Sequence, residues 1–199
     1  VSKLLGNSQK GLLFIISAPA GTGKTTLVHM LTKEFPQVCE SVSFTTRYLR
    51  PNEIEGKHYF FVSKDEFELM VRNQSFLEYV ELYGFYYGTS KAFVEEKLNE
   101  GKHVVLVIDT QGALALQKTE IPAIYIFLKP PSMEELEKRL INRKTESEKK
   151  VEERIEWAEK ELQDSKFYNY HIVNDDLQIA YQVLRSIVIA EDHRNKKDY

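Results

Sequence analysis

Apolar and polar positions along the chain fall into two rhythms. Continuous apolar runs recur at Leu12–Ser17, Val104–Asp109, Ala123–Leu128 and His171–Val173. Runs of that length without polar alternation fit strands buried on both faces of a sheet. Between and after them, apolar residues return every three or four positions over Thr25–Phe35, Ser132–Asn142, Lys149–Lys166 and Leu177–Asp192. In the third of these Val151, Ile155, Ala158 and Leu162 form one face, and in the fourth Leu177, Ala180, Leu184 and Ile187 do so. Strands alternating with amphipathic helices predict an α/β fold, a parallel sheet flanked by helices.

Two stretches break the rhythm. Residues 37–98 are rich in Tyr and Phe and hold short alternating segments, His58–Val62 and Phe76–Val80, which read as a small β-rich insertion. The hydrophilic run Arg143–Lys150 lies between two helices with little to bury, as a mobile lid does. The expected partition is a core domain at 1–36, 99–142 and 155–199, an insertion at 37–98 and a lid at 143–154. Both additions would project from the carboxyl edge of the sheet, where α/β proteins place their ligands.

Composition narrows the classes. The chain has 199 residues, enough for one well-buried domain, and a net charge of −3 gives no reason to expect nucleic acid or an anionic membrane as partner. No apolar run is long enough to span a bilayer, and the start lacks a basic-then-apolar leader pattern. One cysteine, Cys39, excludes an intramolecular disulfide framework, and the histidines show no metal-ligand spacing. The simplest expectation is a cytoplasmic enzyme, with its oligomeric state undecided.

The first site candidate is Ala18-Pro19-Ala20-Gly21-Thr22-Gly23-Lys24-Thr25, between an apolar run and a helical pattern. Strand, glycine-rich loop and helix in that order make a phosphate-binding loop. Glycines let backbone N–H groups curl inward toward phosphate oxygens, and the helix N-terminus adds positive potential. Lys24 supplies a cation for the β- and γ-phosphates, and the Thr25 hydroxyl is a Mg²⁺ ligand candidate. Ala18 stands where the motif normally opens on glycine; it demands a negative φ but keeps the loop's N–H groups.

Further candidates lie beyond the loop. Ser43-Phe44-Thr45-Thr46-Arg47-Tyr48-Leu49-Arg50 joins hydroxyls to two arginines, the side chains that grip phosphate in a planar fork. Tyr59 and Tyr87 sit in aromatic clusters and carry phenolic donors. Glu78 sits among apolar residues, a costly place for a carboxylate unless something donates to it. Asp109 ends an apolar run, either as an acid that holds a water of a Mg²⁺ shell or as a turn or helix cap. Arg139 and Arg143 lie four apart on one helix face, and Arg154 opens the next helix; surface ion pairing is the plain alternative.

Over nearly its full length the sequence resembles the guanylate kinase family. The matching residues are Ala18–Thr25, Ser43–Arg50, Gly56–Tyr59, Phe76–Glu78, Tyr86–Thr89, Ile108–Gly112, Pro130–Arg143 and Val173–Asp176. The resemblance implies a P-loop nucleoside monophosphate kinase fold, with ATP on the main sheet and GMP on the insertion; dGMP is expected as an alternative acceptor, with the preference between the two left open. ATP would be bound by Ala18 through Thr25 with Thr26, and by Asn174 and Asp175 near the adenine. Ser43, Arg47, Arg50, Tyr59 and Tyr87 would hold the GMP phosphate, and Glu78 with Thr89 would read guanine. Lys24, Arg50, Arg139, Arg143 and Arg154 would carry catalysis, with Mg²⁺ on Thr25 directly and on Asp109 through water.

The chemistry agrees with that implication. Guanine presents N1–H and N2–H side by side to an acceptor-only carboxylate, whereas AMP would leave such a carboxylate unpaired. Two departures stand out: Val107 replaces a second acidic residue usual in the family, and Asn142-Arg143-Lys144 replaces glycines around the lid arginine. Two alternatives are a catalytically silent module binding phosphorylated peptides and a kinase of another phosphorylated small molecule.

Overall fold

The computed structural model describes residues 4–6, 10–142 and 148–195. The chain runs through β1 (Leu13–Ser17), α1 (Lys24–Glu34), β2 (Val38–Glu40), β3 (Phe44–Thr45), β4 (Phe60–Phe61), α2 (Lys64–Arg72), β5 (Phe76–Leu82) and β6 (Phe85–Ser90). It continues through α3 (Lys91–Asn99), β7 (His103–Val107), α4 (Thr110–Gln117), β8 (Ile124–Lys129), α5 (Met133–Asn142), α6 (Glu148–Asp164), β9 (Tyr170–Val173) and α7 (Leu177–Asp192).

The main sheet is wholly parallel, in the order β2-β7-β1-β8-β9. Its central strand shows why an unbroken apolar run is needed. Phe14 and Ile16 pack against Leu27, Val28 and Leu31 of α1 and Ala180, Leu184 and Val188 of α7. Leu13 and Ile15 point the other way, onto Val94 of α3 and Ala113 and Leu116 of α4. Both faces are therefore buried, each fully buried aliphatic contributing about 1.5–3 kcal/mol. The sheet's lower end is tied to α7: buried His103 accepts at Nδ1 from the Leu12 N–H at 3.0 Å, and its Nε2 faces Asp192 at 3.2 Å. Among the described residues no helix is long and apolar enough to cross a membrane.

The second sheet has the order β4-β3-β6-β5. Its core is aromatic: Phe67 of α2 stacks on Phe76 and Tyr86, and Phe44 stacks on Phe60. Gly88 is required there, because a Cβ would lie 2.8 Å from the Phe76 ring. β5 and β6 turn through Tyr83 (φ 53°) and Gly84 (φ 77°), the left-handed pair of a tight hairpin.

Several boundaries differ from the sequence reading. Asp109 leaves the β7 run to cap α4, so that strand ends at Val107. The expected strand at 58–62 shrinks to Phe60–Phe61. Val38–Glu40, grouped by composition with the insertion at 37–98, pairs with β7 as an edge of the main sheet. Helices α2, α3 and α4 are short and give no long periodic pattern; in the structure a capping box of Ser63 and Glu66 opens α2. In the 143–154 segment, residues 148–154 form the start of α6, while Arg143 lies outside the described residues.

Candidate active site

β1 delivers the chain into the loop at 18–25. Gly21 (φ 92°) and Gly23 (φ 97°) take left-handed conformations, and Gly23 caps α1 with no side chain. Substitution is blocked at Gly23 by space as well as by φ: a Cβ there would lie 2.6 Å from the Asn174 amide nitrogen. Ala18 is buried and does not need the left-handed region, so alanine serves where the motif has glycine. A brace supports the loop from outside. The Asn174 side-chain amide donates to the Thr22 carbonyl at 2.6 Å, and Arg139 donates to the Asn174 carbonyl at 2.9 Å while pairing with Glu135 at 3.0 Å. Lys24 donates to the Ala18 carbonyl at 2.5 Å. Burial pushes its ammonium below the ordinary lysine range, opposed by Glu161 and Asp109. Thr25 and Thr26 are exposed on the first turn of α1, and Asp175 is exposed on the turn after β9.

The insertion contributes side chains rather than backbone. Arg47 is gripped by Glu53 in a bidentate pair at 2.7 and 3.0 Å, and its guanidinium lies over Tyr59, 5.3 Å from the ring centre. Glu53 also accepts from the Arg50 N–H at 2.9 Å, so one carboxylate fixes both arginine positions. It is held below the usual carboxylate range chiefly by Arg47, whose own pKa rises. Tyr59 and Tyr87 meet edge to face at 5.8 Å.

Glu78 is buried opposite Thr89, whose hydroxyl donates to it at 2.6 Å. A register shift between Phe76 and Glu78 sets its direction. Phe76 and Tyr79 join the aromatic core of the insertion, while Glu78, Val80 and Leu82 face the cavity. The bulge thus turns the carboxylate out of the aromatic layer. Burial raises its pKa to about 7, with Thr89 opposing and Asp109 adding to the rise.

A cavity of about 360 Å³ joins the two halves. Its walls bring together Ala20, Lys24 and Thr25 from the loop end, with Ser43, Arg47, Arg50, Tyr59, Glu78 and Tyr87 from the insertion. Asp109 and Arg154 join them, while Arg139, Asn174 and Asp175 lie beyond the loop, outside the cavity wall. Asp109 caps α4, accepting from the Gly112 N–H at 2.9 Å through Oδ1. Its Oδ2 is buried and, among the described residues, accepts no hydrogen bond. Cap and wall residue are therefore one side chain using two oxygens.

Two carboxylates in this wall were not singled out from the sequence. Glu53 lies six residues from the arginine it holds, and Glu161 faces the cavity from α6. Trp157, also on α6, meets Tyr83 at the insertion's hairpin tip, with ring centres 5.7 Å apart.

The comparisons agree with this geometry. A family model described as guanylate kinase matches residues 10–191. The guanylate kinase of Protochlamydia amoebophila is 57% identical over 192 residues, covering 96% of this chain and 97% of that protein. The guanylate kinase of Chlamydia trachomatis serovar D is 55% identical over 183 residues, covering 92% and 89% respectively. The crystal structure of guanylate kinase from Anaplasma phagocytophilum has a TM-score of 0.77 at 32% identity, covering 94% of this chain and 88% of that one. Family model, sequence relatives and backbone agree over most of the chain, and the chain belongs to the guanylate kinase family.

Proposed function

We propose that the protein transfers the γ-phosphoryl group of ATP to GMP, giving ADP and GDP. The observation that carries this reading is Glu78, a buried carboxylate held by Thr89 and facing a cavity with a phosphate loop at its other end. An acceptor-only group at that place suits the paired N–H donors of guanine. Arg50, Tyr59 and Tyr87 would grip the GMP phosphate beside Arg47, which Glu53 already orients.

On the donor side, Lys24 would exchange the Ala18 carbonyl for phosphate oxygens, and the loop's N–H groups would cradle them. The outer brace of Asn174 and Arg139 keeps the loop in the shape that makes this possible. Arg154, with Arg143 from the 143–154 lid, would bring charge over the phosphates. The acceptor phosphate is already ionised near neutral pH, so no general base is required. Alignment and charge neutralisation then carry the rate.

The residues present also fit Mg²⁺. Thr25 offers an exposed hydroxyl on the first turn of α1, and Asp109 has a buried oxygen without a donor. When bound there, Mg²⁺ would neutralise the terminal phosphates of ATP. The test is ADP release with GMP, dGMP, AMP, UMP and CMP offered in turn. Guanine nucleotides are expected to be strongly preferred, and absence of that preference would refute the reading.

A further inference from the structure

Helix α6 presents Arg154, Trp157 and Glu161 to the cavity, a spacing of three and four that puts them on one face. Glu161 is the anomaly among them. It is a carboxylate only 4% exposed in the wall of the cavity. Its electrostatic neighbours are Lys24, Asp109 and, on its own helix, Asp164. Lys24 directs its short hydrogen bond to the Ala18 carbonyl, and Asp109 leaves Oδ2 buried without a donor.

Glu161 and Asp109 therefore both lie beside the Lys24 ammonium. A single ammonium offsets two carboxylates only in part, so a further cation beside them would be favoured. Hydrated Mg²⁺ supplies both positive charge and water hydrogens, and it keeps several waters when protein carboxylates hold it. Among the described residues no cluster of three or more His, Cys, Asp or Glu forms a dedicated metal cage, so contact through water suits this wall. Val107, at the position where the sequence departs from its relatives, lines the same cavity and offers no oxygen.

We propose that Glu161 is a positioning residue for the donor-side magnesium, accepting hydrogen bonds from its water shell together with Asp109 and supplying the second carboxylate that Val107 does not. This rests on the ATP- and Mg²⁺-dependent reading above. It also gives α6 a second task, since the helix that brings Arg154 to the cavity brings a carboxylate there as well.

Calorimetric titration of ATP without GMP, with Mg²⁺ and with a chelator, tests it by binding alone. In wild type, Mg²⁺ should tighten ATP binding. In Glu161→Gln that gain should shrink about tenfold, the usual scale for losing an outer partner of a metal. Metal-free ATP should bind Glu161→Gln as well as wild type or better, because a like charge near the phosphates has gone. An undiminished gain, or equal weakening with and without metal, would overturn the proposal, the second outcome marking Glu161 as a support for Lys24 or the fold. Should the Gln variant not fold, Glu161→Asp keeps the charge but withdraws it by one methylene. It should lose part of the gain, and a full gain would overturn the proposal. Wild-type protein that binds ATP under neither condition would instead overturn the functional reading itself.

Discussion

In the loop at 18–25 the cavity is bounded by backbone whose shape depends on two left-handed glycines and an amide brace. In the insertion it is bounded by side chains from four separate segments, each held by another side chain: Arg47 by Glu53, Glu78 by Thr89, Tyr59 by Tyr87. The donor half is therefore local in sequence and intolerant of added atoms. The proposed acceptor half is dispersed, and its side chains rest on one another. A triphosphate offers every user the same oxygens, so backbone N–H groups suffice; telling one base from another needs a particular acceptor at a particular edge.

Substitutions can sharpen that contrast. Lys24→Ala is expected to cost the most, lowering turnover roughly a thousandfold or more while circular dichroism and thermal melting stay near wild type. Turnover within a few-fold of wild type would remove Lys24 from the donor half. Glu78→Gln should come next, with kcat/KM for GMP falling about a hundredfold and KM for ATP little changed. Equal losses for both substrates would mean that the halves are not separable. Glu53→Gln should raise KM for GMP about tenfold by releasing Arg47 from its charged hold, with a smaller effect on kcat. The same rise for ATP would show that Glu53 serves the whole fold.

The smallest effect is on pH. With the Glu78 pKa raised to about 7, the carboxylate form that accepts guanine's N–H donors diminishes on acidification. KM for GMP should rise about threefold between about pH 7.5 and 6.5, and the Glu78→Gln variant should not show this rise. Stability runs the other way. A carboxyl whose folded pKa exceeds its unfolded value of 4.5 favours the fold while protonated. That contribution is fully present below about pH 4.5 and is lost as pH climbs through about 7. Thermal melting of the ligand-free protein across this window checks the sign, with Glu78→Gln as the control.

The same contrast governs what could be read from the sequence. The glycine loop was legible because its residues are adjacent and its flanks change period there, and α7 was legible to the residue because Leu177–Asp192 keeps one apolar stripe throughout. Glu53 and Glu161 were not, since the chain carries 30 acidic residues and nothing local distinguishes these two of the four that face the cavity. Asn174 illustrates a different limit. Its segment was matched by resemblance to the adenine side, but only coordinates reveal its amide on the Thr22 carbonyl. The bulge that turns Glu78 toward the cavity also lies beyond pattern reading, because simple alternation would have left Phe76 and Glu78 on one face.

The contact between Tyr83 and Trp157 has an optical consequence. Trp157 is the chain's only tryptophan, and it sits where the hairpin tip between β5 and β6 meets α6. Its fluorescence therefore comes from a single indole at that contact. Emission maximum and quenching by iodide can report whether nucleotides alter the contact in unlabelled protein, with Tyr83→Ala as the baseline for an indole that has lost its neighbour.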